Sequence, residues 1–479
     1  MVSINDAMRE VPGLRFVFDM LDIKTAYGKD IFYNAECCPP RRGNELFEEL
    51  CAVAHCRDWV LAEPAAAKAV RWALGALKDI RRSMRAMGGT TLSDVELFEI
   101  KCFLINLERL RSAAESLERV GITSDVADMS GALSVLDPGG EGIAVFSVYD
   151  GYSERLAEIR KQKLELDKNE RAAEIYKNME RGALTEERRR ITALEQEEEL
   201  AVRKTLTLRL YEFADAFEHN FRRIARLDYL LAKAQLAADF GCVLPQLADE
   251  AVVEIENAGN PYLESMLTAR GLEYTPVSIS LERGASIITG ANMGGKSAFL
   301  KALLQNVLLV QLGFLPFADK MRLCLFDSFG TVIDDDSSLK SGLSSFGAQV
   351  FKLREIIAAV RSGRMLILID ELAGGTNPEE GRRIFKSVVD FLGEFDAVCV
   401  FTTHFSCSTR SAARFRVAGL RDDIEPEPDH LRLAKGLSEK MDYRIEPDDD
   451  GRPPRDAINI CRLLGLDEKI IDGALKDDK

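Results

Sequence analysis

One run of residues, Gly290-Ala291-Asn292-Met293-Gly294-Gly295-Lys296-Ser297, restricts what this chain can fold into more than any other. It stands between an apolar β-type stretch, Ser286 to Thr289, and an apolar helix-like stretch, Ala298 to Leu312. Strand, glycine-rich turn and helix in that order predict a loop whose backbone wraps a polyphosphate. The glycines permit close approach, successive N–H groups face the ligand, and the positive end of the helix faces its charge. In such a loop Lys296 reaches the β- and γ-phosphates and Ser297 holds Mg²⁺. The expected ligand is a nucleoside triphosphate, with Gly290, Asn292, Met293, Gly294, Gly295, Lys296 and Ser297 around its phosphates.

Further along, Met365-Leu366-Ile367-Leu368-Ile369-Asp370-Glu371 is an unbroken apolar run closed by two acids. Without alternation it predicts a parallel strand buried on both faces, its acids at the carboxyl edge where open α/β sheets bind ligands. Asp370 can then join Ser297 on Mg²⁺, while Glu371 polarises a water against the γ-phosphate. A third strand, Ala397 to Phe401, runs through Thr402-Thr403 into His404. A histidine at that edge can sense the γ-phosphate or orient the attacking water. His55, His219 and His430 have no such setting. Hydrolysis of ATP, with Glu371 and His404 as catalytic residues, is the expected chemistry.

At 479 residues, 46% hydrophobic and 29% charged, the chain has the size and balance of a multidomain globular protein. No apolar stretch nears the twenty or so residues of a membrane span, and Met1 to Glu10 carries no secretion signal, so a cytoplasmic location is expected. The ten cysteines are scattered, which fits free thiols in that compartment. Cys51, His55 and Cys56 lie in an amphipathic helical stretch, where buried thiols are the better reading than a metal site. The net charge of −15 opposes a dedicated nucleic-acid binder, although Lys78, Arg81, Arg82 and Arg85 cluster within a turn or two of helix.

The text before the loop is helical. Leu46, Phe47, Leu50, Val53 and Ala54 fall at helical spacing, Ser93 and Glu96 form a capping box, and Trp59 and Trp72 read as core. Pro138-Gly139-Gly140 and the apolar run Ile143 to Val148 predict a break or a short strand pair. From Ser153 to about Gln235 the chain is dense in Glu, Lys, Arg, Leu and Ala, and two long helices folded back at Arg181 to Thr185 account for it. Acidic and basic residues balance there, so the arms read either as a solvated lever or as a clamp gripping DNA. The expected segments are a helical core at 1–125, a linker with helical arms at 126–249, an ATPase domain at 250–425 and a C-terminal extension at 426–479.

The loop with its Asn-Met-Gly-Gly-Lys-Ser core resembles that of the MutS family. Ile369 to Thr376 resembles that family's magnesium strand and the loop after it, and Thr402-Thr403-His404-Phe405 its Ala-Thr-His-Tyr segment. Asp334 to Phe346 resembles the serine-rich segment that completes the neighbouring subunit's ATP site. The resemblance implies a multidomain α and α/β protein: a helical core with long antiparallel lever and clamp helices, followed by an ABC-type α/β ATPase domain. It also implies a dimer, of this chain or with another MutS-like subunit, in which Ser344 and Ser345 act in trans on ATP and Mg²⁺.

Departures from the family pattern shape the functional expectation. No N-terminal α/β domain with a Phe-x-Glu mismatch wedge fits here, and Phe47-Glu48-Glu49 lies within a helix where Phe47 reads as packed. Leu343 replaces an arginine usual in the trans segment, Ala373 to Gly375 lacks the usual Gly-Arg-Gly, and no Smr nuclease-type domain follows. Two readings stand: a DNA-binding ATPase in repair or recombination, without direct mismatch readout, or an ATPase acting on a protein client. For the second, the resemblance to short MutS-like proteins implies a reactivating, chaperone-like factor for a cobalamin-dependent amino-acid aminomutase.

Overall fold

The computed structural model describes residues 2–175, 181–290, 294–333, 345–374, 376–405, 409–420, 441–448, 458, 460–461 and 466–476. Asn292, Met293 and Ser344 lie outside them, and of Ser345 only the backbone is described. The chain forms two compact units interleaved along the sequence. One comprises Met1–Asp22, Tyr33–Asp58 and Ala232–Lys479, the other Ile23–Phe32 and Trp59–Leu231.

The helices in chain order are α1 (Ile4–Glu10), α2 (Pro12–Asp19), α3 (Ala26–Tyr33), α4 (Gly43–Ala62), α5 (Pro64–Gly75), α6 (Arg81–Met87), α7 (Asp94–Glu118), α8 (Ser130–Leu136), α9 (Glu154–Ile175), α10 (Arg181–Tyr211), α11 (Ala214–Asp239), α12 (Pro261–Thr268), α13 (Lys296–Gln311), α14 (Ser345–Ala359), α15 (Pro378–Leu392) and α16 (Glu468–Lys476). The strands are β1 (Gln246–Ala248), β2 (Val252–Ala258), β3 (Val277–Glu282), β4 (Gly284–Thr289), β5 (Lys320–Cys324), β6 (Ser328–Val332), β7 (Met365–Asp370), β8 (Ala397–Thr403), β9 (Ala413–Leu420) and β10 (Met441–Pro447).

The helical unit is built around α7. The capping box of Ser93 and Glu96 opens it by satisfying amides that the first turn leaves unpaired. Its buried stripe includes Leu97, Ile100, Phe103, Leu104 and Leu107, and Phe103 meets Phe221 of α11 edge-on at 5.7 Å. Lys101, also buried, donates to Asp137 at 3.1 Å, and the Gly142 N–H donates to the same carboxylate at 2.8 Å. One ion pair thus fastens the segment after α8.

The helices α9 and α10 are antiparallel, because later residues of one meet earlier residues of the other. Ser153 donates to Glu198 at 2.7 Å, Arg160 bonds Glu195 and Glu199, and Arg188 approaches Asp167 at 3.5 Å. The expected pair of long arms is therefore present, but α10 already begins at Arg181. Arg181 to Thr185, expected as the fold-back, thus lies inside that helix. The apolar run Ile143 to Val148 forms no strand, and Ile143 and Val145 are exposed. With no neighbouring edge to pair with, its β propensity finds no ladder.

Two side chains read as core lie elsewhere. Phe47 sits in α4 as expected but is 43% exposed, and Trp72 in α5 is 67% exposed, whereas Trp59 is buried at 2%. Both exposed residues are next to buried ones in sequence, Leu46 and Ala73, and helical phase turns them outward.

The other unit carries two sheets, one of four strands in the order β1-β5-β2-β3 and one of six in the order β10-β9-β4-β8-β7-β6. From β9 to β6 the larger sheet is parallel, and only β10 pairs antiparallel. The apolar residues of β7 and all of β8 are buried, as the missing alternation predicts for a sheet covered on both faces. Ile287, Ile367, Phe385, Val389 and Phe401 belong to the core on one face. The helix α13 is apolar almost all round because it is buried almost all round.

Candidate functional site

Sheet order decides which strand ends meet. The strand β8 lies between β4, which feeds the glycine-rich loop, and β7, which ends in the acids. Registers are level: Thr289 pairs with Thr403, and Thr402 with Asp370. Three carboxyl ends therefore finish side by side, at the edge where an α/β sheet presents its ligand site.

From β4 the chain passes Gly290 and, beyond the undescribed 291–293, reaches Gly294 and Gly295. Gly295 has φ +77°, a left-handed conformation that a side chain disfavours. A Cβ there would also stand 3.0 Å from the ring of Tyr443, so the β10 tyrosine packs on the loop. Lys296 opens α13 and is buried; its Nζ donates to the Gly290 carbonyl at 2.8 Å and lies 3.8 Å from Glu371 Oε1. Burial depresses the lysine's pKa, and the carboxylates of Glu371 and Asp370 oppose that shift. Ser297 follows in the first turn, half-buried.

On the acidic side, Thr402 organises the turn. Its hydroxyl donates to Asp370 Oδ1 and accepts the Glu371 N–H at 3.3 Å, and its carbonyl accepts the same N–H at 3.2 Å. Asp370 Oδ2 accepts no hydrogen bond among the described residues, and a free carboxylate oxygen at a strand end suits a hard cation such as Mg²⁺. Glu371 then turns into the left-handed region at φ +44°, and Ala373 does so again at φ +62°. Two non-glycine residues in that region store backbone strain next to the acids. The Ala373 N–H donates to Gln349 Oε1 of α14 at 3.1 Å, which ties this turn to the helix following the serine-rich segment.

His404 emerges one residue beyond β8, exposed, its ring 4.5 Å from that of Phe405. A Cβ on Gly374 would lie 3.8 Å from His404 Cε1 and 3.3 Å from the Glu371 carbonyl, so His404 borders the acidic turn. The fold thus brings together Gly290, Gly294, Gly295, Lys296, Ser297, Asp370, Glu371 and His404. Asn292, Met293 and the side chains of Ser344 and Ser345 fall outside what is described.

Three further contributors were not singled out from sequence. Thr402 carried a signal, the first polar residue after an apolar run in a central strand. Gln349 reads as one more polar position of a helix, and Tyr443 lies far along the chain; neither carried any.

Residues 286–449 match the model of MutS domain V. The protein named endonuclease MutS2 of Symbiobacterium thermophilum is 31% identical over 265 residues, which cover 54% of this chain and 31% of the relative. The one of Shouchella clausii is 30% identical over 283 residues, 59% of this chain and 34% of the relative. That of Ruminiclostridium cellulolyticum is 32% identical over 259 residues, 53% of this chain and 30% of the relative. The chain thus matches about a third of the length of these curated relatives.

Proposed function

We propose that this chain, whose residues 286–449 match MutS domain V, is an ATP hydrolase whose nucleotide state controls its hold on DNA. The observation that carries the hydrolytic part is the meeting of three parallel strand ends, with Lys296 buried 3.8 Å from Glu371. In this reading the loop from Gly290 to Ser297 takes the triphosphate, and Lys296 meets the β- and γ-phosphates. Ser297 and Asp370 hold Mg²⁺, which when bound offsets phosphate charge. Glu371 accepts the proton of the attacking water as the new O–P bond forms and the bond to the leaving diphosphate breaks. His404 orients that water, and Thr402 keeps both acids aimed. Ser344 and Ser345 close the site from a second, MutS-like subunit.

DNA as partner follows the names of the relatives and the paired α9 and α10 helices. The test is duplex and junction DNA binding across a salt series with and without ATP, using Glu371→Gln to hold the ATP state. Nucleotide-dependent binding that weakens steeply with salt is expected. Absence of binding at low salt in every nucleotide state would transfer the proposal to a protein client.

One observation favours that second reading. Several described cations of the arms are matched internally: Arg155 with Glu198, Arg160 with Glu195 and Glu199, Lys163 with Glu195, Arg190 with Glu187. Charges already paired release fewer counterions on meeting phosphate. A protein client, such as a cobalamin-dependent aminomutase in need of reactivation, would be held by apolar and neutral contacts instead.

A further inference from the structure

If the arms have little unmatched positive charge, a nucleic-acid contact must lie elsewhere in the helical unit, and α5 offers one. Trp72 stands 67% exposed on its outer stripe together with Lys68 and Gly75, one turn to either side, while Val70, Ala73 and Leu74 face inward. The Lys24 stem lies 3.9 Å from where a Gly75 Cβ would be. Asn106 donates to the Ala76 carbonyl at 3.1 Å and accepts from Arg109 at 3.1 Å, which brings an exposed guanidinium to the same end of the helix. Lys68 on the helix itself, and Lys24 and Arg109 near its C-terminal end, thus add positive charge to the helix that carries the exposed indole. From Lys68 to Arg85 the sequence holds six basic residues and one acidic residue, in a chain of net charge −15. The lone acid, Asp79, is engaged by Arg81.

We propose that this Trp72 face binds single-stranded DNA, with a base stacked on the indole and flanking phosphates at Lys68, Lys24 and Arg109. A single strand is favoured because its bases are free to stack on an aromatic platform, whereas in a duplex they are already stacked and paired. The choice of DNA rests on the function proposed above. The excess of basic residues on and beside this helix marks the occupant as a polyanion.

Tryptophan fluorescence tests this directly. Trp59 is buried and its Nε1 has no hydrogen-bond partner among the described residues, so Trp59→Phe removes its emission without breaking a described bond and leaves Trp72 as sole reporter. Oligo-dT added without nucleotide should quench that emission, and the binding should weaken with salt. Trp72→Ala, followed with a labelled oligo-dT, should lower affinity by about 5- to 150-fold. Trp72→Phe should retain most of it, and ATPase activity should be unchanged in both. Lys68→Ala should reduce the salt slope by roughly 0.7. Unchanged Trp72 emission at low salt would overturn the proposal. So would full oligo-dT affinity in Trp72→Ala, or emission that shifts with protein concentration alone, which would assign the face to a second copy of the chain. Since no nucleotide is present, failure here is distinct from loss of ATP-dependent duplex binding.

Discussion

Two buried lysines, one in each compact unit, show what separates a structural charge from a functional one. Lys101 of the helical unit meets Asp137 at 3.1 Å, and the carboxylate is completed by the Gly142 N–H. Lys296 of the other unit donates to a backbone carbonyl and has the Glu371 carboxylate at 3.8 Å. A buried charge is tolerated when hydrogen-bonded and paired, as at Lys101. At Lys296 burial outweighs the neighbouring carboxylates of Glu371 and Asp370 and lowers the pKa. The first arrangement fastens a segment of the fold; the second stands at the end of the loop proposed to hold a nucleotide.

The largest expected difference between the two concerns stability. Lys101→Met leaves Asp137 buried without its cation and should destabilise the protein by roughly 3–5 kcal/mol, read by denaturant unfolding. Lys296→Met removes a charge whose burial already disfavours it, and should leave stability unchanged or raised. If both variants lost stability equally, the contrast would fail.

Activity should reverse the order. Lys296→Met is expected to lower turnover by roughly 10²–10³-fold, the usual effect of removing one preorganised donor, while a folded Lys101 variant should turn over ATP normally at low temperature. Gln349→Ala is a smaller perturbation of the same site. It leaves the Ala373 N–H unsatisfied beside two left-handed residues, and turnover should fall about tenfold with little change in KM. Gln349→Glu, which still presents an acceptor, should restore most of it. A KM effect without a turnover effect would remove Gln349 from the positioning of Glu371.

The smallest effects are in the pH dependence of stability, and their signs are opposite. Although burial pushes Asp137 upward, the Gly142 N–H and Lys101 hold its carboxyl below the usual range. Its contribution is present at neutral pH and lost as pH falls through that lowered value. Lys296 is depressed by burial, so the unfolded chain binds its proton more tightly, and stability rises as pH climbs through the depressed value towards the ordinary lysine range. Melting temperatures against pH should lose the acid slope in Lys101→Met and the alkaline rise in Lys296→Met.

The same contrast explains what the sequence made legible. The ATPase strands and loop could be read because each packs a chemical group into a local pattern: glycines before a lysine, five apolar residues before two acids, a histidine after a strand. Thr402 was half visible, since its place in the strand could be read but its bond to Asp370 depends on which strand becomes the neighbour. Gln349 and Tyr443 reach the site through tertiary placement alone. In the helical unit the capping box and the long paired helices were legible from local rules. The exposure of Trp72 there, and of Phe47 in the other unit, was not, because an aromatic residue at a helix boundary face is turned in or out by the phase of its packing partners, which composition does not encode. The Lys101–Asp137 pair joins residues far apart in sequence with no motif to announce it.

The central claim, that the acids at the end of β7 hydrolyse a nucleotide held by the loop after β4, is tested most directly by single-turnover ATP hydrolysis with Glu371→Gln beside its ATP affinity. The account predicts that affinity is kept and the chemical step slows by roughly 10²–10⁴-fold, the range for loss of a general base. Hydrolysis at the unsubstituted rate would contradict it.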